Sequence, residues 1–148
     1  MTLASLRRAS FQRFARVHGA LLLRTNGRPR RLGLRQYALV LETVGRRTGS
    51  VRAVPLLYLP VGDDFMVLAS NYGQERPPAW WLNLADQPDA TVLWSGRRVP
   101  VRGRLVTGTE RADLVERARS YNSQWRGYFE TVRREIPVVL LERTAKPR

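Results

Sequence analysis

Glu42-Thr43-Val44-Gly45-Arg46-Arg47-Thr48-Gly49-Ser50-Val51-Arg52-Ala53-Val54-Pro55-Leu56 reads as strand, turn, strand, and this hairpin sets the character of the fold. Gly45 and Gly49 are free to take the positive backbone angles that a tight connection needs. Consecutive N–H groups in such a turn form a small concavity for an anion. Arg46, Arg47 and Arg52 add planar forks that match phosphate oxygens two at a time, and Thr48 adds a hydroxyl. The turn is therefore expected to hold phosphate. The competing expectation is a hairpin whose arginines are only solvated.

Working outward, residues 37–44, 51–59 and 65–69 are rich in Val, Leu and aromatics, with turns at 45–49 and 62–64, so three antiparallel strands are expected. Pro78 opens a short helix over 78–87, which Pro88 ends. Residues 90–94 and 97–106 form a second hairpin around Ser95-Gly96. Thr109 is placed to cap a helix running to residue 121, with Glu110 and Asp113 in its first turn, and 136–141 supplies a last strand. About six strands without βαβ alternation predict a mainly β, α+β domain built on a closed antiparallel sheet. No dinucleotide-binding or P-loop glycine motif is present, and no repeat.

The chain has 148 residues, enough for one core, and a net charge of +14 in which Lys146 is the single lysine. Such a balance suits an anionic partner without choosing among nucleic acid, membrane and small molecule. Without cysteine, disulfides, thiolate catalysis and cysteine-held metals are excluded; no metal site is expected. His18 is the one histidine and reads as a surface residue, so no Ser-His-Asp system can be assembled. No apolar run is long enough to span a bilayer or to serve as a secretory signal, so a cytoplasmic protein is expected.

Residues 1–36 form a basic arm and linker, separate from the domain at 37–148. The first acidic residue is Glu42, while Arg7, Arg8, Arg13 and Arg16 all fall in the arm. Leu3, Leu6, Phe14, Val17 and Leu21 recur at helical spacing, giving an amphipathic N-terminal helix. Its apolar face is expected to pack on the barrel. The competing expectation is peripheral contact of residues 1–24 with the anionic inner face of the membrane. A nucleic-acid role is not expected, because the remaining arginines form no recognisable reading module.

A second segment narrows the reading: Leu68-Ala69-Ser70-Asn71-Tyr72-Gly73, followed by Pro77-Pro78-Ala79-Trp80-Trp81-Leu82-Asn83-Leu84. Together with the turn and with Glu135-Ile136-Pro137-Val138-Val139-Leu140-Leu141-Glu142, it resembles the deazaflavin (F420)-dependent nitroreductase and quinone reductase family, in order and at family spacing over 38–142. The resemblance implies a split β-barrel of the kind that binds FMN. It implies that Arg46, Arg47, Thr48, Gly49 and Arg52 hold the phosphate and tail of coenzyme F420. It further implies that Ala69, Ser70 with Asn71 beside it, Trp80 and Asn83 line the ring, and that Tyr121 and Tyr128 close over the substrate.

The chemistry of such a cofactor asks for cations at one end and an apolar, aromatic wall at the other; Pro55, Ala69 and Trp80 can form that wall. Because Trp80 and Trp81 cannot both face one core, one of them is expected to line an opening, and the motif assigns that to Trp80. The reaction implied is hydride transfer from reduced F420 to a small electrophilic acceptor: a quinone, an enone or a nitroaromatic. Tyr128, Ser70 or solvent would supply the proton. Tyr72, Pro77, Trp81 and Trp125 depart from the family pattern and bear on substrate choice. The alternatives are an FMN-dependent reductase of the same fold, or a non-catalytic barrel holding a lipid or another flat ligand.

Overall fold

The computed structural model describes residues 38–145. The basic arm and His18 lie outside the described residues. Seven strands make one antiparallel sheet: β1 (Ala38–Val44), β2 (Val51–Leu57), β3 (Leu59–Val61), β4 (Asp64–Leu68), β5 (Asp89–Trp94), β6 (Arg97–Leu105) and β7 (Val138–Arg143). Their order is β2-β1-β5-β6-β7-β4-β3. Among the described residues three helices accompany the sheet, α1 (Ala79–Asp86), α2 (Gly108–Tyr121) and α3 (Ser123–Thr131).

β2 and β3 occupy opposite ends of the sheet order yet are separated in the chain by Tyr58 alone. The two ends must therefore lie close together, and the sheet curls into a half-barrel. The single strand expected over 51–59 is thus two, and β4 pairs across the 62–64 turn with the second of them, β3, and on its other side with β7. Tyr58 is pinned where the chain changes partner. Trp94 Nε1 donates to its hydroxyl at 2.7 Å, Phe65 meets its ring edge-on at 5.1 Å, and Arg143 lies over both Phe65 and Trp94. Each such ring contact contributes about 0.5–1.5 kcal/mol beyond its buried area.

Burial explains why some strands alternate and others do not. On β6, Val99 and Val101 face the barrel core while Arg98, Arg102 and Arg104 face out. These arginines pair with carboxylates of neighbouring elements: Glu42, Asp89, and both Glu110 and Glu142. The hydrogen bond to Glu110 and the one to Glu142 hold the Arg104 guanidinium above its already high pKa. Exposed pairs of this kind contribute at most about 1 kcal/mol each.

By contrast residues 65–68 of β4 and 138–141 of β7 are continuous apolar runs because both their faces are covered. Phe65, Val67, Val139 and Leu141 belong to the barrel core with Leu39, Trp80 and Leu84. Met66, Leu68, Val138 and Leu140 belong to a second core with Leu114, Ala118 and Trp125 from the helices.

One local expectation is corrected. Thr107, not Thr109, is the N-cap residue of α2, and its side chain makes no capping bond; Gly108 at φ 63° turns the chain into the helix, and only Glu110 lies in the acidic first turn. The aromatic stretch 121–129 is not one helix. It breaks at Asn122, whose Oδ1 accepts from the N–H groups of Gln124 and Trp125 and starts α3.

The seat of α1 on the barrel depends on Gly103 of β6. A Cβ there would stand 2.4 Å from Leu84 Cδ2 and 2.6 Å from its Cγ, and Leu84 is fully buried. Gly103→Ala is expected to destabilise the domain by about 1–3 kcal/mol through overpacking. Adding Leu84→Ala should recover part of the loss, a non-additivity that chemical denaturation of the two single variants and the double variant measures.

Candidate active site

The hairpin turn between β1 and β2 is closed from within. Gly45 N–H donates to Ser50 O at 2.7 Å, Gly49 N–H to Gly45 O at 2.8 Å, and Ser50 N–H to Thr48 Oγ1 at 3.2 Å. Gly49 has φ 71°, and a Cβ on Gly45 would stand 2.8 Å from Thr48 Oγ1, so both glycines are required by geometry. The expected concavity of backbone N–H groups is therefore largely used up by the turn itself. Among the described residues, the N–H groups of Arg47 and Thr48 make no backbone hydrogen bond.

Arg46 is also tied down. Its backbone N–H and its Nη1 both donate to Asn83 Oδ1, at 3.1 and 3.2 Å. Asn83 Nδ2 in turn donates to Thr43 Oγ1 at 3.3 Å, with both side chains buried. Asn83, expected at the polar edge of the ring, thus joins α1 to the turn as it stands. Arg47 and Arg52 are left exposed, and among the described residues neither forms a salt bridge. Thr48 is exposed beside them.

Ala69 and Trp80 share the barrel core, and Trp80 is only 6% exposed; Trp81 is the half-buried member of the pair. Trp80, expected to line an opening, is therefore the core member of the pair. Pro55 is not on the same wall: Val54 and Leu56 pack on the barrel core, and alternation turns Pro55 to the other face of β2, opposite Val40.

Beyond Ala69 the chain enters a short 3-10 turn, Asn71–Gly73, in which Asn71, Tyr72 and Gly73 have φ 46°, 56° and 79°. The Tyr128 ring lies against Gly73, where a Cβ would be 3.2 Å from Tyr128 Cδ1. Ser70 and Tyr128, both candidate proton donors, are thus brought to the same turn. Tyr121 instead lies tilted on Trp125, ring centres 5.5 Å apart. Trp125 is buried in the second core, so it fills space there.

Sequence reasoning missed Thr43 and Arg134. Thr43 follows the strand alternation as an inward polar residue, which is a usable signal; Arg134 gives none, since its partners are about sixty residues away. Arg134 also lines a groove of about 390 Å³ with Arg111, Val115, Arg119, Phe129 and Ile136. No residue expected at the site lines that groove.

A curled antiparallel half-barrel with a cationic hairpin turn, and a strand end meeting a tryptophan helix, defines a split-barrel protein. The donor set fits a ligand with an anionic end and a flat apolar body. The guanidinium groups of Arg47 and Arg52 are exposed, and Trp81 is the half-buried aromatic beside the buried Ala69 and Trp80.

The chain belongs to the F420H(2)-dependent quinone reductase family, whose model matches residues 13–143. It is 32% identical over 132 residues to the F420H(2)-dependent quinone reductase Rv1261c of Mycobacterium tuberculosis, covering 86% of this chain and 89% of that one. Among solved structures it is similar to the F420-H2 dependent reductase FDR-A, with TM-score 0.65 and 25% identity over 71% of this chain and 93% of that one. The heme storage protein HutZ of Vibrio cholerae shares the fold at TM-score 0.51 and 13% identity, covering 74% of this chain and 82% of that one. Family membership makes the protein an oxidoreductase with F420 as cofactor.

Proposed function

We propose that the protein reduces a quinone-type acceptor with F420H2, and that Arg47 and Arg52, with the Thr48 hydroxyl, hold the anionic phosphate and tail of the cofactor. The observation that carries this reading is the contrast between two sets of arginines. Those on the outer face of β6 are matched by carboxylates, whereas Arg47 in the turn and Arg52 at the start of β2 stand exposed without one among the described residues. Asn83 and Arg46 fix that turn to α1, so the anion-holding end and the Trp80–Ala69 end keep a constant relation.

When bound, F420H2 supplies the hydride. Around it the chain's own residues orient and exclude water: half-buried Trp81, backed by the buried Ala69 and Trp80, offers apolar surface, and the Tyr128 ring covers the turn at Gly73. The Tyr128 hydroxyl and the Ser70 Oγ are the groups from which a proton can reach the reduced acceptor. Enones and nitroaromatics are the other electrophiles that this arrangement suits. The same reading takes residues 1–24 as a peripheral contact with anionic lipid, which co-sedimentation of the full chain with anionic and with neutral vesicles tests.

The deciding experiment titrates the purified chain with F420 and, separately, with FMN, then mixes the F420H2 complex with menadione and follows the return of cofactor absorbance. Binding of F420 in preference to FMN, with turnover, is expected. Failure to bind either cofactor would overturn the reading and favour a barrel that holds a lipid or other flat ligand.

A further inference from the structure

Arg134 lies in the link between α3 and β7, outside every regular element. Its guanidinium nevertheless donates to three backbone carbonyls of one distant segment. Nη2 reaches Ala69 O at 3.0 Å and Ser70 O at 3.1 Å, and Nε reaches Gln74 O at 3.1 Å. Those carbonyls bracket the backbone stretch in which Asn71 and Tyr72 stand in the left-handed region without being glycine. Each such residue costs about 1–2 kcal/mol and persists only where its surroundings hold it.

The turn's own ties are few. Gly73 N–H donates to Ser70 O, Gln74 N–H to Asn71 O, and Asn71 Nδ2 to Arg76 O. Burial holds the Arg134 pKa below the usual arginine value, consistent with a cation partly withdrawn from water for a structural purpose. A planar fork can serve carbonyls on both sides of the turn at once; a single ammonium cannot.

We infer that Arg134 is a positioning residue for the site. By gripping the carbonyls on both sides of Asn71 and Tyr72, it keeps the turn left-handed and so fixes where Ser70 and Tyr72 meet the cofactor and acceptor. The inference rests on the proposed function only for that last step; the grip itself belongs to the cofactor-free chain.

The test compares the full-length chain with Arg134→Lys, Tyr72→Gly, the double variant, and Arg111→Lys as a control. Arg111 donates to Ile136 O and pairs with Glu135 in the same link, but makes no bond to the 69–74 segment. In the cofactor-free protein, hydrogen exchange at the Gly73 and Gln74 amides is expected to quicken by at least about tenfold in Arg134→Lys, as loss of a local restraint requires. Arg111→Lys should leave those two amides unchanged. Unchanged exchange in Arg134→Lys would overturn the inference whether or not F420 binds.

With F420H2 and menadione, Arg134→Lys is expected to lower kcat by about tenfold, with the Kd for F420 within about threefold of the parent because the 45–49 turn is untouched. In the Tyr72→Gly background the same substitution should cost no more than about threefold, since glycine takes the left-handed region without strain. An equal loss in both backgrounds would count against positioning through the turn. If Arg134→Lys alone does not fold, the double variant carries the comparison against Tyr72→Gly. A parent chain that binds no F420 would defeat the proposed function while leaving the exchange result to decide the grip.

Discussion

Replacing Arg47 and Arg52 together with alanine is expected to raise the Kd for F420 by roughly a hundredfold while the melting temperature stays within a few degrees of the parent. Each guanidinium meeting a phosphate or carboxylate contributes about 1.5–3 kcal/mol, and about 1.4 kcal/mol is a factor of ten in affinity. Stability should be nearly unaffected because both side chains are exposed and, among the described residues, form no salt bridge. The parent's affinity should fall as salt rises, and the double variant's should fall less. Fluorescence titration at two ionic strengths makes the measurement. An unchanged Kd would mean that the anionic end is held elsewhere. Arg46→Ala is a poorer probe, since it also breaks the hydrogen bond from Nη1 to Asn83 and so disturbs the link to α1.

Trp125→Ala is expected to destabilise the domain by about 3–5 kcal/mol, the usual cost of deleting a buried tryptophan side chain. Trp125 is 5% exposed and belongs to the core formed by Leu114, Ala118, Ile136 and Leu140, where the helices cover the outer face of β4 and β7. Against a total of about 5–15 kcal/mol, such a loss should lower the melting temperature by more than about 10 °C. Trp125→Phe keeps an aromatic ring and should retain most of the stability and of the menadione turnover. If instead Trp125→Ala melted like the parent and lost only turnover, Trp125 would act at the acceptor rather than in the core. Trp125 is one of the residues that depart from the family pattern, so the experiment also decides whether that departure bears on substrate choice or on the core.

How far the residues could be read differs from element to element. The hairpin at 44–51 was legible because Gly45, Gly49 and the flanking apolar runs act over a few residues. The division of 51–59 was not, because Tyr58 interrupts nothing in the pattern; only its contacts with Trp94 and Phe65 show where the chain changes partners. Trp80 and Trp81 were recognised as a pair that could not both be core, yet which one is buried follows from how α1 lies on Ala69 and Gly103, and that is a packing fact.

The candidate site divides in the same way. The arginines of the turn announced an anion, and the Ala-Ser strand end with its tryptophan helix carried the resemblance to F420-dependent enzymes. That the turn uses most of its own N–H groups, that Asn83 is held by Arg46 and Thr43, and that Arg134 grips Ala69, Ser70 and Gln74 were not visible. The sequence alone determined the mainly antiparallel character, the cationic turn and the family, because turn chemistry, strand periodicity and motif spacing are local properties of the chain. Only the tertiary structure decided which cations are left without a carboxylate, which tryptophan is core and what restrains the left-handed turn. Those outcomes depend on which distant groups the curled sheet brings within about 3 Å of one another, and no local pattern encodes a hydrogen-bond partner sixty residues away.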